Sequence, residues 1–596
     1  MNPLQILRRE LSTVAGLRAV KKWIDVVDPE SSTLVPDEIE ELVDRHGASV
    51  AWIFEGQSWS YTDMEAFANR IANWAIQIGL EPGDAVALFM ENRPEYVAIW
   101  YGLSKIGVVT GLINSNLAEE SLAHCINIIE ARLVIGGSEQ DEALRSARGL
   151  IDGDPAVFTL GGSEGDDLEK ALAGAADTRP DRSRREALLA RDLCLYVYTS
   201  GTTGLPKAAK LAHARTRAMM RSFVAPCGIT ANDRIYITLP LYHGTGGICG
   251  VGQALMAGAC IVLRRRFSAS HFWDDVAEHD VTSIVYIGEL CRYLVNSPPH
   301  PRERDHLVRT GFGNGLRPDI WQAFMDRFDV PHLVEFYGST EGNVSLMNID
   351  GKVGAVGRIP SYLEKNAFAN IAFVRFDVVE EHPLRDEHGF CMRTKPDEVG
   401  EAIGRVGKEV RTRFDGYNDK AASEKKLLRD VFRKGDLWFR TGDLMKKDRD
   451  GYIYFVDRIG DTFRWKGENV STGEVAECLA RIPGITTANV YGVGLPGADG
   501  RAGMAAITTE GEVDFGGLYS ELAKQLPAYA IPLFLRVQPQ AATTGTFKYR
   551  KIELVKEGFD PALTKDPLWF LDAKKRCYAR LTKTAHQRIL EGKLHF

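Results

Sequence analysis

The sequence predicts an α/β protein of at least two domains: a large, multi-subdomain N-terminal part with a β-rich subdomain, and a small C-terminal α+β part. Three observations point there. At 596 residues the chain is too long for one hydrophobic core. From about residue 50 to 360, apolar strand-like runs alternate with longer helical patterns, as parallel α/β layers do. From about residue 365 to 455 the strands shorten and turns such as Arg449-Asp450-Gly451 enter, the mark of a β-rich region. The boundaries expected are a lead-in over 1–50, a large domain over 51–459 and a small domain over 460–596.

Taken in order, the lead-in has an amphipathic pattern. Leu4, Leu7, Leu11 and Val14 fall on one helical face, continued past Gly16 by Leu17, Val20 and Ile24. Arg8, Arg9, Arg18, Lys21 and Lys22 supply the polar side, with Trp23 near the end. Such a helix suits either an anionic membrane surface or the body of the protein. Residues 64–78 read as a helix, with Phe67, Ile71, Trp74 and Ile78 at a spacing of three to four. Residues 85–89, 132–135, 235–239 and 283–287 read as strands. Residues 96–113 are apolar enough to suggest a membrane span, but Lys105 in the middle favours a buried helix–turn–strand. Residues 162–185 are polar and rich in Ala, Asp and Gly, an exposed excursion. Gly492-Val493-Gly494-Leu495-Pro496-Gly497 matches G-x-G-x-x-G, yet Pro496 and the strand-like run at 504–508 favour a hairpin over a dinucleotide site.

Composition excludes several classes. A net charge of −7 argues against broad nucleic-acid binding. Nine scattered cysteines with no C-x-x-C pair fit a reducing cytoplasm and suggest neither a zinc site nor a disulfide framework. No cleavable signal peptide is recognised.

The chemistry begins at Tyr198-Thr199-Ser200-Gly201-Thr202-Thr203-Gly204-Leu205-Pro206-Lys207, directly after the apolar run 193–197. Glycines let successive N–H groups turn inward, and the hydroxyls and Lys207 add donors and charge, making an anion receptor suited to nucleotide phosphates. It is not a Walker A loop, since no G-x-x-x-x-G-K-[ST] occurs in the chain. Glu335-Phe336-Tyr337-Gly338-Ser339-Thr340-Glu341 joins an aromatic that can stack on a purine to a carboxylate that can hold Mg²⁺. Thr441-Gly442-Asp443 sets a lone carboxylate after a tight turn, where it can accept from ribose hydroxyls. Trp465-Lys466-Gly467-Glu468-Asn469 and Thr544-Gly545-Thr546-Phe547-Lys548 complete the series.

Together and in this order, these segments resemble the adenylate-forming superfamily of acyl-CoA synthetases, luciferases and peptide-synthetase adenylation domains. The stretches 286–294, 313–317, 457–475 and 566–572 look most like its very-long-chain acyl-CoA synthetase and fatty acid transport protein branch. The resemblance implies a large adenylate-forming domain and a small mobile C-terminal domain. It implies an acid–thiol ligase of the AMP-forming kind, which joins a fatty acid to ATP with loss of pyrophosphate and then passes the acyl group to CoA. ATP, Mg²⁺ and CoA are the cofactors and co-substrates implied, and a long- to very-long-chain fatty acid is the substrate.

By the same resemblance, residues 199–207 handle the β- and γ-phosphates, Thr340 contacts the α-phosphate and Glu341 holds Mg²⁺. Gly313, Asn314, Gly315 and Tyr337 line the adenine pocket, with Glu335, Gly338 and Ser339 in the same nucleotide-binding stretches. Asp443 and Arg458 bind ribose. Lys548 bridges the α-phosphate and the attacking carboxylate. The family's usual motif puts glycine directly before that lysine, whereas here Thr546 and Phe547 intervene, so Arg550 and Lys551 are the fallback candidates. Gly460 falls at the hinge about which the small domain turns between the two half-reactions. Gly467, with Arg464 and Lys466, borders the pantetheine tunnel after the turn. His243, in Leu239-Pro240-Leu241-Tyr242-His243-Gly244, resembles a gate beside the acyl site, and the small residues over 246–258 leave room for a long acyl tunnel. The expected location is cytoplasmic and peripheral on the inner face of the cell membrane through residues 1–24, with a homodimer allowed and no nucleic acid partner. Two rivals stand beside this reading: a fatty acyl-AMP ligase that passes the acyl group to a carrier protein, and a fatty acid transport or binding protein.

Overall fold

The computed structural model describes residues 3–199, 205–364, 369–378, 380–465, 468–496, 500–541 and 551–594. The chain divides into two compact units. One comprises Met1–Arg358, Gly404–Leu428 and Leu437–Phe439; the other comprises Ile359–Ile403, Arg429–Asp436 and Arg440–Phe596.

The first unit is built on two large sheets. One runs in the order Leu346–Asn348, Leu333–Tyr337, Thr310–Asn314, Ser283–Ile287, Arg234–Ile237, Cys260–Leu263, Val50–Phe54, Gln57–Ser60. Its interior pairs are parallel and its two edge strands antiparallel. The second runs Asp166–Asp167, Ala156–Leu160, Leu133–Gly137, Ala85–Phe89, Val109–Leu112, Leu193–Thr199, Lys207–Ala212, parallel except for the last pair. Strands such as Ala85–Phe89 are buried along their whole length, so they read as unbroken apolar runs rather than alternating ones. The four strands read from the sequence are all present.

The helix Tyr61–Gln77 begins at a reciprocal cap. Asp63 N–H donates to Ser60 Oγ at 3.0 Å and Ser60 N–H donates to the Asp63 carboxylate at 2.8 Å. Phe67, Ile71 and Trp74 are buried on one face, as their spacing requires, while Ile78 caps the C-terminal end and is exposed. Residues 96–113 form the buried helix Pro94–Ser104 and the strand Val109–Leu112, joined by a turn. No described helix is long and apolar enough to cross a membrane.

Lys105 in that turn is fully buried, with Nζ 2.9 Å from both Glu40 Oε1 and Glu65 Oε1. The network corrects one expectation. Residues 162–185 are not simply an exposed excursion: Arg179 donates to Glu65 and Asp44, and buried Arg185 donates to Lys105 O, Asp37 and Glu40. A polar stretch thus anchors itself through its arginines.

The first helix is Pro3–Ile24, whose apolar face suits either a membrane or the body of the protein. Leu7 and Leu11 are 56% and 63% exposed, whereas Thr13 is buried. The inward side is polar at its centre: Thr13 Oγ1 donates to Asp350 at 2.9 Å, and Arg358 pairs with Asp350 and Glu10. A methyl group on Gly16 would stand 3.2 Å from Ile349 Cγ2, so the helix lies close against the body of its unit there. Trp23 lies 5.6 Å from the Arg221 guanidinium carbon. Buried ion pairs therefore choose the inner face, and Leu7 and Leu11 are left outward with Arg18, Lys21 and Lys22.

The second unit holds the β-rich region expected over 365–455 apart from residues 404–428 and 437–439. Strands run in the order His382–Pro383, Ile371–Asp377, Val399–Arg405, Leu437–Lys447, Tyr452–Arg458, the first and last pairs antiparallel. Arg449-Asp450-Gly451 makes the last connection, with Gly451 at φ 86°. Beyond it a five-stranded sheet, Ile485–Gly494, Arg501–Thr509, Phe534–Gln538, Leu568–Asp572 and Cys577–Arg580, carries its own apolar core with the helices Thr472–Ala480 and Leu518–Ala523. Ile485–Gly494 pairs antiparallel with Arg501–Thr509, so Gly492 and Gly494 of the G-x-G-x-x-G segment belong to a strand, while Gly497 lies outside the described residues.

Replacing Lys105 by Met leaves buried Glu65 and half-buried Glu40 with one cation fewer, and is expected to lower stability by about 3–5 kcal/mol. Urea unfolding checks this; an unchanged midpoint would show that Arg179 and Arg185 suffice.

Candidate active site

Three parallel strands of the first sheet bring their C-terminal ends to one edge. Tyr286 pairs with Gly313 and Gly313 with Glu335, so the segments after Ile287, Asn314 and Tyr337 leave the sheet side by side. The packing there admits only glycine. A methyl group on Gly313 would stand 2.1 Å from Tyr286 O, and one on Gly288 1.8 Å from Gly315 O. Gly315 has φ 78° and open space beside its α-carbon. Tyr337, Ser339, Thr340 and Glu341 are half-buried and Gly338 is exposed.

The neighbouring strand Arg234–Ile237 leads to His243 and a π-helical turn over Gly244–Gly250. A methyl group on Gly244 would lie 3.6 Å from Thr340 Oγ1, and Thr245 Oγ1 lies 3.5 Å from Asn314 Oδ1. His243 therefore enters the same cluster as Thr340 and Asn314. The glycines that follow do not hold space open, contrary to the expectation from their size. A methyl group on Gly247 would sit 1.7 Å from Leu241 O, and one on Gly252 2.4 Å from Met220 Cα. They permit close backbone packing, and so give no evidence for an acyl tunnel.

Of the phosphate loop, Thr199 and Lys207 face each other at the ends of an antiparallel strand pair. Ser200, Gly201, Thr202, Thr203 and Gly204 lie outside the described residues. Tyr198 points elsewhere: its buried hydroxyl donates to Cys125 O at 2.6 Å, which makes it a structural residue of the strand.

Two residues of this cluster were not read from the sequence. Tyr417 lies on the segment 416–418, which pairs with strand Lys207–Ala212 through Lys210 N–H to Gly416 O at 2.9 Å and Asn418 N–H to Ala208 O at 3.0 Å. Its hydroxyl donates to Glu341 Oε1 at 2.8 Å, and Lys207 Nζ lies 5.9 Å from its ring centroid. Burial, with the Glu341 charge added, raises the phenol above its ordinary range. The available signal was Gly416-Tyr417-Asn418, an aromatic in a turn-forming cluster, but nothing local ties it to Glu341.

Arg215 is the second. From the helix His213–Arg221 its Nη2 donates to Ser339 O at 3.1 Å, Thr340 O at 3.3 Å and Gly342 O, gathering the carbonyls of the turn that carries Thr340 and Glu341. Burial works against its charge and lowers its pKa, while the carboxylates of Asp415 and Glu341 sustain it. Glu335, by contrast, is buried below the loop, with its oxygens taken by Leu316 N–H and the Tyr286 hydroxyl.

The second unit has its own candidate residues. Asp443 and Arg458 are register partners on adjacent strands, with Arg458 Nε 3.5 Å from Asp443 Oδ1. Gly442, just before Asp443, has φ 80° and donates to Glu401 at 3.2 Å. Gly460 sits at φ 90° in the turn closed by Asp461 N–H to Arg458 O at 3.0 Å, and its α-carbon borders open space. Asp457, before this turn, accepts from Thr472 N–H at 2.7 Å, and burial raises its carboxyl pKa. Arg464 is on the strand Phe463–Trp465. Lys551, a fallback for the catalytic lysine, pairs with Asp461 at 3.0 Å. Lys466, Gly467, Lys548 and Arg550 lie outside the described residues.

The oxygen donors suit a hard cation. The Glu341 carboxylate is bound by Tyr417 through one oxygen, with the Thr340 hydroxyl one residue away. One carboxylate completed by substrate oxygens is how Mg²⁺ is commonly held.

Residues 39–377, which contain the clustered loops of the first unit other than the Tyr417 segment, match the family described as AMP-binding enzymes. The chain is an AMP-binding enzyme. Over 545 residues this AMP-binding enzyme is 43% identical to long-chain fatty acid transport protein 6 of Mus musculus, covering 90% of its own chain and 87% of the relative. Over 568 residues it is 42% identical to long-chain fatty acid transport protein 1 of Homo sapiens, covering 94% and 88%. It therefore belongs with the long-chain fatty acid transport proteins. The fold is shared with the anthranilate CoA ligase AuaEII, at TM-score 0.74 and 20% identity over 88% of this chain and 96% of the other. It is shared too with the fatty acyl CoA synthetase of Mycobacterium tuberculosis, at TM-score 0.63 and 21% identity over 88% and 98%. The adenylate-forming fold expected from the motifs is the one observed.

Arg215→Met frees the carbonyls of Ser339, Thr340 and Gly342, and is expected to slow ATP–pyrophosphate exchange on the order of a hundredfold and raise the magnesium requirement. Arg215→Lys should recover part of both. Exchange at the wild-type rate in Arg215→Met would remove Arg215 from the site.

Proposed function

We propose that this AMP-binding enzyme is an AMP-forming fatty acid–CoA ligase acting on long- to very-long-chain acids. The observation that carries the proposal is the meeting of Lys207, Tyr417 and Glu341 beside Thr340, with His243 in the adjoining loop. A cation, a carboxylate and hydroxyls converge where a polyanionic nucleotide would have to be neutralised. The transport-protein relatives support the choice of a long-chain acid.

In the first half-reaction a carboxylate oxygen attacks the α-phosphorus of ATP, and the bond to pyrophosphate breaks. An anion must approach a polyanion, so the residues act mainly by neutralising charge and fixing the angle of attack. Residues 199–207 would bind the β- and γ-phosphates, and Thr340 the α-phosphate. Gly313, Asn314, Gly315 and Tyr337 would border adenine, and Asp443 and Arg458 would take the ribose. Lys548 would bridge the α-phosphate and the attacking carboxylate. Glu341 would hold Mg²⁺, which when bound neutralises phosphate charge. In the second half-reaction the CoA sulfur attacks the acyl carbonyl and the bond to AMP breaks. Gly460 would be the hinge between the two steps, and Arg464, Lys466 and Gly467 would border the CoA arm. Leu7 and Leu11, outward beside basic residues, support a peripheral membrane location.

AMP release from ATP, Mg²⁺, CoA and fatty acids of graded length tests the reading. The wild type should release AMP with long acids and co-sediment with anionic vesicles, and Lys548→Ala should lose on the order of a hundredfold or more in adenylate formation. No AMP release with any acid would end the proposal.

Proline cannot adopt the φ of 90° found at Gly460. Gly460→Pro is therefore expected to slow thioester formation more than adenylate formation, measured as separate single-turnover steps. Equal slowing of both would argue against a hinge at this turn.

A further inference from the structure

Glu335 is 1% exposed and stands two residues before Tyr337 on the same strand, so both project to one face of the sheet. Its Oε1 accepts Leu316 N–H at 3.0 Å. Its Oε2 lies 2.9 Å from the Tyr286 hydroxyl, which is also 3.3 Å from Val334 O. The Gly315 N–H faces the same carboxyl group. Above it the backbone has no slack, because Gly313 and Gly288 already lie closer to Tyr286 O and Gly315 O than any side chain would allow. One carboxyl group thus ties the loop to the strands that carry it.

We propose that Glu335 is a positioning residue that clamps the Gly313–Leu316 loop from below and so sets the width of the nucleotide pocket, without touching the nucleotide. This rests on the reading above that the loop borders adenine.

The surroundings specify which form of the clamp operates. The titratable groups facing Glu335 are the Tyr286 phenol and, on the helix Gly288–Asn296, the Cys291 thiol. Cys227 lies against Tyr286 in turn. Burial raises all three, so they are neutral near pH 7. Arg292 on that helix is paired with Glu289, and Arg317 beside Leu316 with Asp319. On the adjacent strand the register partner of Glu335 is the uncharged Asn348. With neutral partners only, burial raises the Glu335 carboxyl to about 8, against the pull of Leu316 N–H and Tyr286. The Tyr286 hydroxyl donates to Glu335 Oε2 at 2.9 Å and Leu316 N–H donates to Oε1 at 3.0 Å, so both carboxyl oxygens are held. A carboxyl pKa raised on folding contributes stability in full below its unfolded value, and that contribution is lost as pH rises through the folded value. Loss of the proton thus costs fold stability, while the Leu316 and Gly315 N–H bonds, which favour the carboxylate, stay in place.

Glutamine reproduces the protonated acid, with an N–H₂ to donate to Tyr286 and an oxygen to accept from Leu316. The test is ATP affinity and steady-state kinetics of full-length wild type, Glu335→Gln and Glu335→Ala. Glu335→Gln keeps an oxygen for the Leu316 N–H and should bind ATP like the wild type, whereas Glu335→Ala should raise the ATP KM about tenfold with little change in kcat. Wild-type ATP affinity in Glu335→Ala, or an equal loss in Glu335→Gln and Glu335→Ala, would overturn the clamp. Affinity lost in Glu335→Ala and kept in Glu335→Gln, with no acyl-adenylate formed by the wild type, would support the clamp and overturn the ligase reading.

Discussion

Parallel strand pairing is the constraint on which the candidate site depends. In a parallel sheet the segments that follow adjacent strands all leave at one edge, and ligand-binding crevices form there. Here Ser283–Ile287, Thr310–Asn314 and Leu333–Tyr337 lie in register, and Arg234–Ile237 flanks them. The glycine loop, the Thr340–Glu341 turn and the His243 segment are far apart along the chain, yet they become neighbours as a consequence of register alone. Close packing then fixes the loops, with glycines at 288 and 313 where no other residue fits.

Buried ionisable groups set the finer geometry. Arg215 gathers the carbonyls of Ser339, Thr340 and Gly342, and Glu335 suspends the Gly315–Leu316 backbone. Neither is placed to touch substrate, and both are held in environments that oppose their ionised forms. Such groups are costly to bury and costly to leave unpaired, so each geometry is specified sharply. Lys105, Arg185 and their carboxylate partners apply the same principle to the helices beside the second sheet of that unit.

Much of the architecture was legible in the sequence because it is written locally. Apolar runs at 85–89 and 283–287, the apolar spacing of Phe67, Ile71 and Trp74, and Pro496 after Gly494 each specify an element through nearby residues. The motif residues Thr199, Lys207, Thr340 and Glu341 were legible because their spacing is itself a signal. Other placements depend on a distant partner. The face of Leu7 and Leu11 suits either a membrane or the body of the protein, and Arg358 and Asp350, more than 300 positions away, draw Glu10 and Thr13 inward and leave these leucines outward. The glycines after His243 suggested empty space, and Leu241 and Met220 fill it. Tyr198 looked like part of the phosphate receptor, and Cys125 O holds it in the sheet.

The sequence by itself determined the element types and the order of the motifs, because hydrophobic period, turn residues and motif spacing are short-range properties, and the family resemblance those motifs carry implied the chemistry. Only the tertiary structure decided that Tyr417 and Arg215 join Glu341 and Thr340, and that Glu335 lies under the loop rather than in the pocket. Those assignments depend on strand register and on which charges share a buried volume. Both are long-range consequences of packing, which no local window of residues contains.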